Sequence, residues 1–97
     1  MFLVLAGSGE LRLGEARHAV KAGDLIGCPA GGPDTAHQLI NTGTEELRYL
    51  AIGTSADPEI CEYPDSGKVG AYHGRGGAGD LYHMTRTADQ RDYWDGE

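Results

Sequence analysis

The sequence predicts an all-β fold, and three observations lead to this prediction. A short apolar run at residues 2–5 stops at a Gly-Ser-Gly stretch, as a buried strand does. At residues 10–13 polar and apolar side chains alternate, which is typical of a strand with one buried face. The 16 glycines fall between such runs and so indicate many tight turns. Strands this short and closely spaced are typical of a β-sandwich or barrel.

Six strands are predicted in the first half of the chain, each separated from the next by a turn. Between the second and third strands, Gly14-Glu15 suits a two-residue type II′ hairpin, because the first position of that turn needs a positive φ. Glycine, proline and polar residues at 21–24, 29–36 and 42–46 mark the later turns. The predicted strands are residues 2–5, 10–13, 16–20, 25–28, 37–41 and 47–53.

The charge and the apolar segments exclude several classes of partner. With Lys+Arg 8 against Asp+Glu 15, the net charge of -7 offers no attraction to nucleic acid or to anionic membranes. The apolar opening is shorter than the ~7–15 residues of a secretory signal core, and no stretch reaches the ~18 of a membrane helix. Cys28 and Cys61 form no Cys-x-x-Cys pair, which predicts reduced thiols. We therefore expect a soluble, cytoplasmic protein.

The character of the chain changes after residue 55, where prolines and glycines leave only short apolar pieces. We divide the chain into a barrel core at residues 1–56 and a C-terminal extension at residues 57–97 that packs on the barrel or on a partner subunit. Thr87 and Gln90 have the spacing of a capping box, which predicts a short terminal helix. The G-x-G-x-x-G match at residues 74–79 lacks the helix and distant acid of a dinucleotide site and is interpreted as a loop.

A family resemblance comes from residues 23–31, whose sequence is GDLIGCPAG, and from the two polar residues that follow them. A glycine, five residues, Pro-x-Gly, then a histidine and an asparagine four positions later resemble the second motif of the cupin superfamily. His37 and Asn41 have that spacing. The five residues at 32–36 make a longer loop before the histidine than the family pattern usually has. In the motif, the glycines and proline turn corners, the histidine points into the barrel and the asparagine opens the next turn.

The resemblance implies a cupin-like jelly-roll barrel with a loop-rich C-terminal extension. It also implies that Gly7 is the closing glycine of the first cupin motif, whose two histidines and glutamate would then precede Met1. On this alignment the barrel is incomplete at its N-terminus. Either the natural chain is longer, or the protein is a remnant of a barrel whose exposed edges are covered by dimerisation or strand exchange.

Among the histidines, the resemblance implies that His37 is a metal ligand. One ligand does not make a site, so a divalent ion such as Fe, Mn, Ni or Zn is expected to bind poorly to these 97 residues. A packed core histidine is the competing interpretation of His37. His73 and His83 could supplement it only if the extension reached the barrel mouth or came from a second subunit, and His18 is assigned no role.

Two functions follow from the resemblance. The first is a metal-dependent enzyme, an isomerase or dioxygenase, that acts on a small polar or sugar-like molecule with the ion as Lewis acid. The second is a non-catalytic barrel that binds a small-molecule ligand or dimerises, since fold alone does not determine function. A homodimer is the expected assembly. A His-x-His and a glutamate encoded just before Met1 would favour the enzyme.

Overall fold

The computed structural model describes all of residues 1–97, which form two compact units, Met1–Ser55 and Ala56–Glu97. Regular structure consists of nine strands and two short 3-10 turns, Pro33–Thr35 and Thr87–Asp89. No helix has the length and apolar character required to cross a membrane. The strands are β1 (Phe2–Ala6), β2 (Ser8–Leu13), β3 (Ala16–Lys21), β4 (Leu25–Ile26), β5 (His37–Ile40), β6 (Arg48–Ala51), β7 (Glu59–Tyr63), β8 (Lys68–His73) and β9 (Leu81–Arg86).

The first unit contains two antiparallel three-stranded sheets, with strand orders β4-β1-β6 and β3-β2-β5. Alternate side chains of each sheet point toward the other sheet, where Val4, Leu11 and Val20 form one buried cluster. Ile26 and Leu39 pack against this cluster. The unit is thus an all-β sandwich whose sheets do not close into a barrel. All six strands predicted for this half of the chain are present.

The hairpin between β2 and β3 confirms the predicted turn. Gly14 has a positive φ of +54°, and the φ of Glu15 is not positive. A type II′ turn requires this combination. Gly14 also needs to lack a side chain, because a Cβ there would lie 2.4 Å from the carbonyl oxygen of Asp34. Its N–H donates to the carbonyl oxygen of Ala36 at 2.8 Å, so the hairpin is joined to the loop before β5.

The turn between β3 and β4 is held by Asp24. The Asp24 carboxylate accepts the backbone N–H of Lys21 at 2.8 Å, and the Asp24 N–H donates to the Lys21 carbonyl oxygen at 3.1 Å. This backbone hydrogen bond is the main reason why the pKa of Asp24 lies below its ordinary value. β4 then pairs with β1 over two residues only and is shorter than the predicted strand at residues 25–28.

The second unit is an antiparallel sheet with strand order β7-β8-β9. The ring of Tyr72 lies over the buried backbone of Gly70, since a Cβ on Gly70 would be 2.5 Å from the Tyr72 hydroxyl oxygen. Tyr72 also contacts the Tyr82 ring edge-on at 5.1 Å, and its hydroxyl oxygen lies 3.4 Å from that of Tyr63. This contact with Tyr63 is the main cause of the raised pKa of Tyr72. Tyrosines therefore cover one face of this sheet.

The prediction of a terminal helix is wrong. Thr87–Asp89 is a single 3-10 turn, and Arg86, not Thr87, stands at its N-cap position without a side-chain capping bond. The Thr87 hydroxyl instead donates to the carbonyl oxygen of Gly67 at 3.1 Å and so joins β9 to the β7–β8 turn. This long-range hydrogen bond replaces the local one that a capping box needs. Beyond it, Tyr93 and Trp94 contact each other at 4.8 Å and are otherwise exposed.

Candidate functional site

The loop before β5 explains how the long form of the motif still delivers its histidine to a strand. Pro33–Thr35 forms a 3-10 turn that begins with proline, whose fixed φ suits that position. The Thr35 hydroxyl donates to the carbonyl oxygen of Gly32 at 2.8 Å, and the Ala36 N–H donates to that of Pro33 at 3.2 Å. The extra residues are thus taken up by one tight turn, and His37 becomes the first residue of β5.

His37 lies on the face of β5 that points between the two sheets. It pairs with Leu13, just as Leu39 pairs with the buried Leu11, so all four side chains share one face. The His37 ring contacts the edge of Phe2 from the opposite sheet at a centroid distance of 5.7 Å. His37 is exposed although Leu11 is buried, so it lies toward an open end of the sandwich interior.

Tyr49 completes an aromatic group at this open end. Its ring contacts Phe2 at 5.6 Å with an interplanar angle of 83°, and β1 and β6 pair so that both rings lie on the inner face. Phe2, His37 and Tyr49, which we call the aromatic triad, therefore join the two sheets beside the core. Edge-to-face contacts of this kind are worth about 0.5–1.5 kcal/mol each beyond the buried area.

The hydrogen bonding of His37 determines what the imidazole can do. Its Nδ1 lies 3.4 Å from the carbonyl oxygen of Thr35. A carbonyl oxygen only accepts, so the Nδ1–H tautomer fits this contact and leaves Nε2 with its lone pair. An imidazole in this state can accept a hydrogen bond, take a proton from a bound molecule or ligate a metal ion.

Asn41 closes the motif by organising the next turn, as the sequence predicts. Its Oδ1 accepts the N–H of Gly43 at 3.0 Å, and its Nδ2 donates to the carbonyl oxygen of Glu45 at 2.9 Å. One side chain thereby satisfies backbone groups on both sides of the β5–β6 turn. The turn leads into β6 and so helps to bring Tyr49 to the aromatic triad.

Comparison with known families agrees with this geometry. A family model described as the cupin domain matches residues 1–53 of the 97. The chain belongs to the cupin family. No curated protein and no solved structure matches the chain. The match ends within two residues of the boundary of the first compact unit, so the cupin domain and that unit coincide.

Within the first unit of this cupin, no other candidate ligand lies beside His37. His18 is exposed on β3, which β2 separates from the strand of His37, and His73 and His83 belong to the second unit. No group of three or more His, Cys, Asp or Glu side chains is arranged to hold a metal ion. At the open end of the first unit His37 therefore stands as a single suitable ligand, and the residues there do not fit a complete metal site.

The cysteines are free thiols in the structure, as predicted. Cys28 packs against the buried cluster of the first unit. Cys61 lies in the second unit, where burial is the main cause of its raised pKa. A raised pKa disfavours the nucleophilic thiolate, so Cys61 lacks the activation that a reactive cysteine needs.

Proposed function

We propose that this cupin binds a small polar or sugar-like molecule at the open end of its sandwich, against the aromatic triad. The observation that carries the proposal is the exposed His37 imidazole held between two sheets by the ring of Phe2. Binding sites for small molecules combine apolar walls with a few placed polar groups. Here Phe2 and Tyr49 would supply the walls, and His37 Nε2 and the Tyr49 hydroxyl would supply the polar contacts.

The test is an NMR binding screen of the 97-residue chain against monosaccharides, hydroxy acids and 2-oxo acids. At least one class should shift the ring resonances of His37, Phe2 and Tyr49 while those of His18 stay in place. Phe2→Ala and His37→Ala should each weaken that binding about tenfold, because one aromatic contact or hydrogen bond is worth about 1–1.5 kcal/mol.

His18→Ala is the matched control, since His18 is an exposed histidine of the same unit outside the aromatic triad. This variant should bind as the unmodified chain does. No shift with any class, or shifts that persist unchanged in Phe2→Ala and His37→Ala, would rule out the proposed site.

A second candidate function, a metal-dependent enzyme, is favoured by one observation, the hydrogen bond that leaves His37 Nε2 suited to a divalent ion. The remaining ligands would have to come from residues outside these 97 or from a second subunit. In that form His37 would hold Fe, Mn, Ni or Zn, and the ion would supply Lewis-acid chemistry to the bound molecule.

Elemental analysis separates the two candidates. After dialysis against metal-free buffer, we expect well under one equivalent of Fe, Mn, Ni or Zn per chain, because a single imidazole holds an ion weakly. His37→Ala should change this content little. One full equivalent that disappears in His37→Ala would contradict the expectation and would show that a partner subunit completes a site at His37.

Cupins are commonly oligomeric, and a homodimer remains our prediction. On the outer face of the first unit, Leu3 pairs with both Leu25 and Leu50, and the latter two are 65% and 49% exposed. Adjacent exposed leucines favour an interface. A partner chain at this face would leave the aromatic triad on the inner face accessible to a ligand.

A further inference from the structure

An aspartate holds one imidazole of the second unit in place. The Nδ1 of His73, at the end of β8, lies 2.8 Å from Oδ1 of Asp57, and the same oxygen accepts the N–H of Gly74 at 3.1 Å. These two hydrogen bonds, that from Gly74 first, lower the pKa of Asp57 and keep the carboxylate charged. A charged acceptor at Nδ1 favours the Nδ1–H tautomer, which leaves the lone pair of Nε2 available to a ligand. The His73 side chain is 60% exposed.

The pairing of β8 with β9 places a second imidazole beside the first. Ala71 pairs with His83 and His73 pairs with Leu81, so the two histidines lie on the same face as diagonal neighbours. Diagonal neighbours on adjacent antiparallel strands are about 7–8 Å apart, with their Cβ atoms somewhat closer. Two imidazoles that start from such positions can converge on one ion with metal–nitrogen bonds of about 2.0–2.1 Å.

We propose that His73 and His83 form a binding site for a divalent transition-metal ion, with Asp57 as the residue that positions His73. Each histidine would contribute one nitrogen and water would fill the other positions, in keeping with the absence of any three-residue ligand cluster. Such a site lies in the second unit and is independent of the aromatic triad. It therefore extends beyond the proposed small-molecule site of the cupin domain.

The ligand set selects the class of ion. Neutral imidazole suits Zn²⁺, Cu²⁺ and Ni²⁺, whereas Mg²⁺ and Ca²⁺ prefer oxygen ligands. A carboxylate that accepts the second N–H of a ligating histidine is the usual partner of such sites, and Asp57 has this relation to His73. With two protein ligands the dissociation constant should be on the order of 10 μM, so the ion is removed by dialysis.

The experiment is a titration of the untagged chain with Zn²⁺, followed by calorimetry and by the histidine ring resonances in NMR spectra. At about pH 7.5 we expect one equivalent to bind and to shift the rings of His73 and His83. Binding should be lost at about pH 5.5, where protons compete for the imidazoles. Ca²⁺ should produce no shift.

Substitutions at three residues test the assignment. His73→Ala and His83→Ala should each weaken Zn²⁺ binding at least about tenfold. Asp57→Asn, which removes the charge and keeps one acceptor oxygen, should weaken it about 10–100-fold. His73→Gln keeps a hydrogen-bond donor near Asp57 but removes the imidazole that would bind the ion. It replaces His73→Ala as the test if that variant disturbs the sheet. His18→Ala, in the first unit, should bind Zn²⁺ normally.

The result that would overturn this proposal is distinct from failure of the proposed small-molecule site. Zn²⁺ affinity that is unchanged in His73→Gln or His83→Ala, loss of affinity in His18→Ala, or no binding up to about 1 mM Zn²⁺ would each exclude the site. None of these outcomes bears on ligand binding at the aromatic triad, because that test uses small organic molecules and variants of Phe2 and His37.

Discussion

Gly7→Ala is expected to destabilise the first unit by about 4 kcal/mol, which combines backbone strain of about 1–3 kcal/mol with a similar cost of steric overlap. Gly7 has φ +81°, a conformation that residues with a Cβ rarely adopt. A Cβ there would also lie 2.4 Å from the carbonyl oxygen of Glu46. Because a backbone atom blocks the space, rotation of a side chain cannot relieve the overlap. A domain this small is marginally stable, so the substitution should remove a large part of its free energy of unfolding.

Two other glycines separate these contributions. Gly23 has φ +92°, but a Cβ added to it would meet nothing within 4 Å, so Gly23→Ala should show the strain alone. Gly27 has open space and no positive φ, and Gly27→Ala should be neutral or slightly stabilising. The measurement is urea unfolding followed by amide resonances of residues 1–55, because the two units need not unfold together. Equal effects at Gly7 and Gly23 would show that the overlap is relieved in solution.

The turns and strands of the first unit could largely be predicted from the sequence. Turn glycines and alternating apolar residues are local signals, and they correctly located six strands and the type II′ hairpin at Gly14. The motif also predicted the role of Asn41 in the following turn. These features depend on residues within a few positions of one another, which a sequence displays directly.

The aromatic triad could not be predicted in the same way. Phe2, His37 and Tyr49 meet only because β1, β5 and β6 come from distant parts of the chain and two sheets pack together. The motif identified the histidine but not its aromatic neighbours. Side chains alternate between the two faces along β1 and β6. This alternation indicates that Phe2 and Tyr49 share the inner face only once the pairing register of the two strands is known.

The strands of the second unit were difficult to predict because their local sequence signal is weak. Its strands contain few aliphatic residues, and Gly70 stands in the middle of β8, so hydrophobic periodicity gave a weak signal. Tyr72 covers that glycine, which restores a packed surface that the pattern of aliphatic residues alone does not reveal. The predicted helix at Thr87 failed for a related reason, since its hydroxyl bonds to Gly67 on a distant turn.

Val4→Ala is expected to cost the first unit about 2–3 kcal/mol, from lost transfer free energy and the cavity that remains. Val4 is 1% exposed and is the most deeply buried side chain of the core cluster, where it joins β1 to Leu11 and Val20 of the other sheet. Phe2 precedes it by two residues on the same face, so loosening at Val4 should also weaken ligand binding at the aromatic triad. Urea unfolding and the NMR binding screen would measure the two effects.

Leu5→Ala is the matched control for this effect of core packing. Leu5 is adjacent on the same strand and loses more carbon atoms on substitution, yet it is 49% exposed. Its expected cost is therefore below about 1 kcal/mol. If Leu5→Ala proved as costly as Val4→Ala, the outer face of β1 would have to be covered in solution. A cost that falls on dilution would then identify the cover as a second copy of the chain, because the stability of a dimer depends on protomer concentration.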